Sequence, residues 1–318
     1  MFEESLNRFS SASVPKAKRR KKRKLGANGF IRMLALCFCI GILVFSGSKI
    51  VERMEDLSAA DRFYGSNKTP ESAVPRQKAS RVPMKSLDLL AFLGSDRGTT
   101  IEQVELDDQE YYEYLREAFF KKKSKNPDCI GYIAAPGVIG RSHPVQEYPI
   151  MKGRDNDYYL YRLPDGTSSS AGSIFADYRL SDDYDINMNT IIYGHCMTDK
   201  SMFRGIKLFF DDANRKTIAQ DMKIFVVTGE AVYVYTYFSG YRSEGNYFTY
   251  RYNADSAGSD NYYYYLKNLR SLNTITKEVS YNAKSRIITL VTCTNVPGKP
   301  DERYVLHGIL TDYIPFGE

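Results

Sequence analysis

One stretch, Arg286 to Leu310, constrains the fold of this chain more than any other. Residues 287–292 are β-branched or aliphatic, and a turn rich in proline and glycine follows, centred on Gly298. This pattern predicts two antiparallel strands joined by a short loop. A hairpin folded about Gly298 sets Cys293 opposite Arg303, where side chains are about 5 Å apart at Cβ. The stretch therefore predicts a thiol and a guanidinium together at one end of one sheet face.

The second half of the chain is typical of strands throughout. Clusters of Gly, Pro, Asn and Asp separate seven strand candidates, at residues 130–134, 173–176, 190–193, 223–228, 231–241, 286–292 and 303–311. The 26 tyrosines also favour sheet. We therefore expect one mainly β domain, mostly antiparallel and closed or nearly closed into a barrel. Helices are predicted at residues 105–123, 201–208 and 261–272.

The positive charge of the chain is concentrated in one block. The formal net charge is +6, and residues 16–24 contain eight basic side chains, so the remainder carries −2. A nearly neutral body does not support nucleic-acid binding. The five cysteines form no CxxC pair and have no metal-ligand spacing. Neither a nucleic-acid partner nor a metal is therefore indicated.

The N-terminal part of the sequence predicts a membrane anchor. Residues 1–29 are polar and basic, as in a disordered cytoplasmic tail, and residues 30–51 supply roughly the 20 mostly apolar positions that cross a bilayer. The basic block favours a cytoplasmic N-terminus, and hence a single-pass membrane protein with an extracellular β domain. A signal peptide cleaved near residues 46–48 is the alternative. Residues 52–108 are expected to form a stalk with short helices, and residues 109–318 the β domain, which contains every candidate reactive residue discussed below.

The chain has three histidines that can be weighed as partners for a reactive thiol. His195 follows an apolar strand and a glycine, so its imidazole is expected where the chain leaves the sheet, a position that suits catalytic side chains. His307 competes with it, because the hairpin puts it on the same face as Arg303. His143 precedes a proline in a loop and is expected to be structural. Spacing alone does not decide between His195 and His307.

Cys293 is the expected nucleophile, because it ends a strand beside a polar loop and has a cation within reach. A nearby cation or imidazolium stabilises the thiolate, which is the nucleophilic form. Arg303 would stabilise a developing oxyanion. A buried, unreactive thiol and an arginine at the rim remain the alternatives. No G-x-S-x-G motif and no focused pair of carboxylates indicates a different reaction.

Several blocks of the sequence resemble the sortase transpeptidases. The first two are NTIIYGH, which ends at His195, and TLVTC, which ends at Cys293, with Arg303 ten positions further on. Further blocks point to class B: NPD at 126–128, GYI at 131–133, YPI at 148–150, DNDYYL at 155–160, AGSIF at 171–175, DY at 177–178 and SMF at 201–203. The resemblance runs from about residue 109 to the C-terminus, with order and spacing preserved.

The resemblance implies an eight-stranded sortase-type β-barrel with N-terminal helices and a helix in the insertion between the sixth and seventh strands. It also implies a cysteine transpeptidase in which Cys293 attacks the Thr carbonyl of a C-terminal sorting-signal pentapeptide and forms a thioacyl enzyme. His195 would be general acid and then general base, which decides the choice between the two histidines, and Arg303 would hold the substrate carbonyl. Further candidates for substrate binding are Val291, Thr292 and Asn295.

The partners implied by the resemblance are surface proteins with a C-terminal sorting signal, and an amine acceptor from peptidoglycan or a pilin. No cofactor is implied. Val291 stands where many class B members have Ser, and Cys196 stands where Asn is common. A binding or scaffold module that has lost turnover through these changes is the alternative function, and a hydrolase that transfers to water alone is a lesser variant. A disulfide between Cys196 and Cys293 would also silence the enzyme.

Overall fold

The computed structural model describes residues 27–65, 108–135, 147–181, 183–244, 259–275 and 278–317. The chain divides into two compact units, Met1–Arg53 and Met54–Glu318. Most of the predicted basic tail, the predicted stalk beyond Gly65, and His143 lie outside the described residues.

Helix α1 spans Ala27–Gly65, and its side chains from Leu36 to Val51 are exposed. The prediction of a membrane anchor at residues 30–51 is wrong, because no helix in the described part of the chain is both long enough and apolar enough to cross a membrane. The prediction of a single-pass membrane protein, from which the cytoplasmic N-terminus and the extracellular catalytic domain were inferred, is wrong on the same ground.

Eight strands form a closed barrel in the order β1-β2-β3-β4-β7-β8-β6-β5. The strands are β1 Cys129–Ala134, β2 Glu147–Met151, β3 Ile174–Ala176, β4 Asn189–Tyr193, β5 Lys223–Val227, β6 Ala231–Glu244, β7 Ile287–Cys293 and β8 Glu302–Pro315. The pairs β2/β3 and β4/β7 are parallel, and the other neighbours are antiparallel. The prediction of a mainly β barrel is confirmed.

Strand β2 is not among the strand candidates, and Pro149 stands in its middle. Proline has no N–H to donate to a sheet ladder, so it argues against a strand in a sequence. In the barrel Pro149 nevertheless pairs with Tyr132 of β1, and its neighbours Tyr148 and Ile150 are buried. The burial of these two side chains outweighs the missing donor.

In the described part of the chain after α1, three helices lie close to their predicted positions, and a short one at residues 215–221 was not predicted. They are α2 Asp108–Lys123, α3 Arg204–Asp211, α4 Arg215–Asp221 and α5 Asp260–Ser271. Helix α5 falls between β6 and β7, as the family resemblance implied. It begins at Ser259, whose side chain accepts a hydrogen bond from the backbone N–H of Tyr262, a favourable N-cap.

Apolar side chains fill the barrel and also cover parts of its outside. The interior cluster draws on every strand and includes Ile133, Ile150, Ile174, Ile192, Ile224, Tyr235, Ile288, Leu290 and Leu306. A second cluster packs α2 against the outer faces of β1 and β5, and a third packs α5 against those of β4, β6, β7 and β8. Inward and outward side chains alternate along each strand, as a closed barrel requires.

The hairpin of β7 and β8 has the predicted register. Cys293 pairs with Arg303, and Thr289 pairs with His307. Gly298 lies in the connecting turn with a φ of +78°, a left-handed conformation that glycine adopts without steric cost.

Candidate active site

The ends of three neighbouring strands, β4, β7 and β8, bring the three predicted catalytic residues into one row. Tyr193 is the last residue of β4 and pairs with Val291 of β7, and the next N–H, that of Gly194, donates to the Val291 carbonyl at 3.2 Å. In this parallel register His195 and Cys293 each lie two residues further on. Arg303 is the antiparallel partner of Cys293 on the other side. The strand order therefore sets imidazole, thiol and guanidinium at one edge of the barrel.

The alternation of β7 decides which side of the barrel this row faces. Leu290 belongs to the interior cluster, whereas Val291 packs in the outer cluster with Tyr262 and Leu266 of α5. Cys293 shares the face of Val291, since side chains two apart point the same way. The thiol is therefore on the outside of the barrel, at the end of a strip of sheet that α5 covers.

Of the predicted substrate-binding residues, Val291 and Thr292 are both buried, but on opposite faces. Val291 is 3% exposed in the outer cluster, next to Cys293 on its face. Thr292 is 2% exposed and pairs with Tyr304, a residue of the interior cluster. Its side chain therefore lies on the face away from Cys293.

His195 is half-buried, and its Nε2 lies 2.7 Å from the backbone oxygen of Leu160. A carbonyl oxygen can only accept a hydrogen bond, so Nε2 carries the proton and Nδ1 of the neutral ring keeps its lone pair. Burial lowers the pKa of His195 below its ordinary value, and the bond to Leu160 opposes that shift. The imidazole is therefore mainly neutral at pH 7 and able to accept a proton at Nδ1.

Cys293 is half-buried and Cys196 is buried, and both are free thiols. The disulfide considered between them is not formed. The Sγ of Cys196 lies 3.6 Å from Nη1 of Arg204. Burial raises the pKa of the Cys196 thiol, although the guanidinium of Arg204 opposes this shift. Cys196 therefore stays protonated, and a protonated thiol is less reactive than a thiolate.

Arg303 is held by the turn that it follows. Its Nη1 donates to the carbonyl oxygens of Pro300 at 2.6 Å and Glu302 at 3.0 Å. The turn therefore holds the guanidinium of the residue that pairs with Cys293 in the sheet.

Asn295 ties the loop after Cys293 to the loop after His195. Its Nδ2 donates to the backbone oxygen of Cys196 at 2.6 Å. Its φ is +56°, and the other two non-glycine residues with positive φ in the described chain are Lys200 and Met202, in the loop after His195. Residues held in such sparsely populated conformations tend to gather at functional sites, where the surrounding structure holds them.

The carbonyl of Leu160 and the ring of Tyr161 were missed by the sequence reasoning as parts of the site. They lie in a short 3₁₀ turn, Tyr159–Tyr161. The ring of Tyr161 is 6.0 Å from that of His195, centroid to centroid, and the side chain is exposed. A backbone carbonyl leaves no signal in residue types, and only the DNDYYL block pointed to this segment. No group of His, Cys, Asp and Glu able to hold a metal occurs among the residues that the structure describes.

A family model for the sortase domain matches residues 146–311, which is more than half of the chain. The chain belongs to the sortase family. Sortase B of Listeria monocytogenes is 31% identical over 196 residues, covering 62% of this chain and 75% of the relative. Sortase B of Staphylococcus aureus is 27% identical, with the same shares covered.

A solved structure of sortase B from Bacillus anthracis, in complex with AAEK1, is 30% identical with a TM-score of 0.51. It covers 61% of this chain, and 84% of the solved chain is matched. These likenesses make the chain a class B sortase, with the eight-stranded barrel of the solved sortases. Its reaction class is that of a cysteine transpeptidase that anchors surface proteins.

Proposed function

We propose that Cys293, His195 and Arg303 are the catalytic residues of this sortase. In this proposal the enzyme cleaves a C-terminal sorting signal of five residues at its Thr and transfers the acyl group to an amine. The observation that carries the proposal is the register of β4, β7 and β8, in which the three residues end neighbouring strands at one edge of the barrel. Reactive side chains at strand ends are held by a rigid sheet and still reach substrate.

The first step forms a bond between Sγ of Cys293 and the Thr carbonyl carbon. The thiol proton passes to Nδ1 of His195, which has the free lone pair. The oxyanion that develops is stabilised by the guanidinium of Arg303. The same Nδ1–H then protonates the leaving amine, the C–N bond breaks, and a thioacyl enzyme remains with the C-terminal fragment released.

The second step reverses the roles of these groups. An incoming amine attacks the thioester carbon and gives a proton to Nδ1 of His195 as the new C–N bond forms. The C–S bond breaks, and Sγ of Cys293 regains a proton from His195. A neutral resting imidazole suits both steps, since it begins each one as a base.

The acceptor is proposed to be an amine of peptidoglycan, from a cross-bridge or a stem peptide, or a pilin lysine. One solved sortase B is described as complexed with a peptide of three glycines, and one from Staphylococcus aureus as a substrate complex. A short glycine peptide is therefore the first acceptor to test. Surface proteins with a sorting signal are the proposed donors.

The test uses the full chain and a library of fluorogenic sorting peptides, with and without triglycine or a lysine-containing peptide. We expect cleavage that speeds up when amine is added, and a thioester on Cys293 detectable by mass spectrometry. Cys293→Ala should abolish both signals. Cys196→Ala is the matched control, because it removes a neighbouring thiol and should retain turnover.

Three results would contradict the proposal in different ways. Binding of peptides without cleavage supports the alternative of a binding module. Cleavage that amines never accelerate makes the protein a hydrolase. An adduct on Cys196 in place of Cys293 shows that the nucleophile is wrongly assigned.

A further inference from the structure

Helix α1 reaches the catalytic edge of the barrel through its last turns, within the unit Met54–Glu318. Tyr64 is 8% exposed, and its hydroxyl donates to the backbone oxygen of Gly172 at 2.9 Å. Earlier on the same helix, the carboxylate of Asp56 accepts from the N–H of Ser170 at 2.9 Å and 3.2 Å. Two side chains of one helix thus hold one loop, residues 170–172.

That loop is pressed against the carbonyl that orients His195. A Cβ added to Gly172 would lie 2.3 Å from the oxygen of Leu160, and the φ of Gly172 is +56°. The next N–H, of Ser173, donates to the oxygen of Tyr159 at 2.9 Å. Loop and 3₁₀ turn therefore move together, because no space separates them.

A second set of contacts runs from the same tyrosine to the loop after His195. The ring of Tyr64 packs edge-on against Tyr148, with centroids 5.3 Å apart. The hydroxyl of Tyr148 accepts from the N–H of Met202 at 2.9 Å. Met202 forms an isolated bridge with Cys196, the residue next to His195. Both routes end at the backbone around one imidazole.

We propose that Tyr64 is a positioning residue for His195: its hydroxyl fixes Gly172 against Leu160, whose carbonyl sets the tautomer and orientation of the imidazole. This inference rests on the proposed role of His195 as acid and base. Residues outside a reactive centre that orient a reactive histidine through its second nitrogen are a recurrent device in enzymes and metal sites. Here the orienting group is a main-chain carbonyl, and a helix outside the barrel holds it in place.

The first test is Tyr64→Phe in the full chain, which removes one hydroxyl and keeps the buried ring. We expect kcat to fall about fivefold, the factor that one hydrogen bond is typically worth, with KM little changed. Since the bond from Nε2 raises the pKa of His195, its weakening should move the acid limb of the pH profile to lower pH. Tyr233→Phe is the matched control: that buried hydroxyl donates to Asp185 at 2.8 Å, before the start of β4, and its removal should leave the profile unchanged.

Imidazole NMR separates this inference from the proposed function, and a chain with three histidines gives few signals to assign. We expect Tyr64→Phe to shift the ring signals and titration of His195 and to leave those of the buried His307 in place. If the His195 signals shift and turnover does not, the contact stands and the catalytic role of His195 is refuted. If signals, titration and kcat all match the wild type, the positioning role of Tyr64 is refuted.

A pair of glycine substitutions tests the contact at its centre. Gly172→Ala drives a methyl group into the Leu160 carbonyl, and a displacement on the order of 1 Å at a catalytic group costs about 100-fold in rate. Gly166 has a φ of +86°, and a Cβ added there would have no atom within 4 Å. Gly166→Ala therefore introduces the same kind of backbone strain as Gly172→Ala but no clash with a neighbouring carbonyl. We expect both variants to lose Tm, Gly172→Ala more because the clash adds to the strain, and we expect a loss of kcat, measured well below both Tm values, in Gly172→Ala alone. Equal kcat values in the two variants would overturn the inference.

Discussion

The tether made by Asn295 offers the sharpest test of how the two catalytic loops are held together. Its side chain contributes one hydrogen bond to the Cys196 carbonyl, and its backbone occupies a left-handed conformation. Two substitutions separate these contributions. Asn295→Gly loses the hydrogen bond and keeps a backbone that tolerates positive φ, whereas Asn295→Ala loses both.

The expected losses of stability follow from these two contributions. Removing the hydrogen bond costs about 1 kcal/mol in the free energy of unfolding. Forcing alanine into the left-handed region adds about 1 kcal/mol. We therefore expect Asn295→Ala to lose about 2 kcal/mol and Asn295→Gly about half of that. Urea unfolding of the full chain measures both values, provided that the slope of the transition stays constant.

Activity should follow the tether and not the stability. Both variants release the loop after Cys293 from the loop after His195, so we expect kcat to fall about tenfold in each, although their stabilities differ. The earlier expectation that Asn295 binds substrate gives a different result, a raised KM with kcat unchanged. A wild-type kcat in Asn295→Gly would refute the role of the tether in turnover. A kcat that falls twice as far in free energy in Asn295→Ala as in Asn295→Gly would show that backbone strain, and not the hydrogen bond alone, determines the loss of activity.

Three further outcomes are expected. Because burial lowers the pKa of His195 and the neutral ring is the base, kcat/KM should fall with acid only below pH 6.5, the ordinary pKa of histidine. A fall in kcat/KM that begins above that pH would contradict the neutral resting imidazole. Burial lowers the pKa of His307 to about 3, so the unfolded chain takes up a proton first as pH falls. The free energy of unfolding is therefore retained above pH 6.5 and falls by about 2 kcal/mol by pH 5. Urea titrations at the two pH values measure this loss, which His307→Gln should remove. Val291→Ser removes methyl groups from the cluster under α5 and should lower the free energy of unfolding by about 1–2 kcal/mol in the same assay. An unchanged midpoint of urea unfolding would show that the cluster closes around the gap.

The sequence was informative where one short segment carries the whole signal. The register of Cys293 and Arg303 followed from the chemistry of a single turn, because a hairpin is set by residues within it. The pairing of β4 with β7 joins residues about a hundred positions apart, and no local pattern sets such a partner. Only the family resemblance connected His195 with Cys293 before the fold was known. The membrane anchor was predicted from a count of apolar positions, and no helix among the described residues is long enough and apolar enough to cross a membrane.

The parallel pairing of β4 and β7 is what makes a site of residues so far apart in sequence. Two parallel strands leave the sheet at the same edge, so the residues that follow them emerge together, and the antiparallel return of β8 adds Arg303. The two polar members of the row are then held by main-chain oxygens, His195 by Leu160 and Arg303 by Pro300. A carbonyl is only as well placed as the loop that carries it. Substitutions that move loop backbone should therefore damage turnover more than substitutions in the apolar strip under α5, although the latter bury more surface.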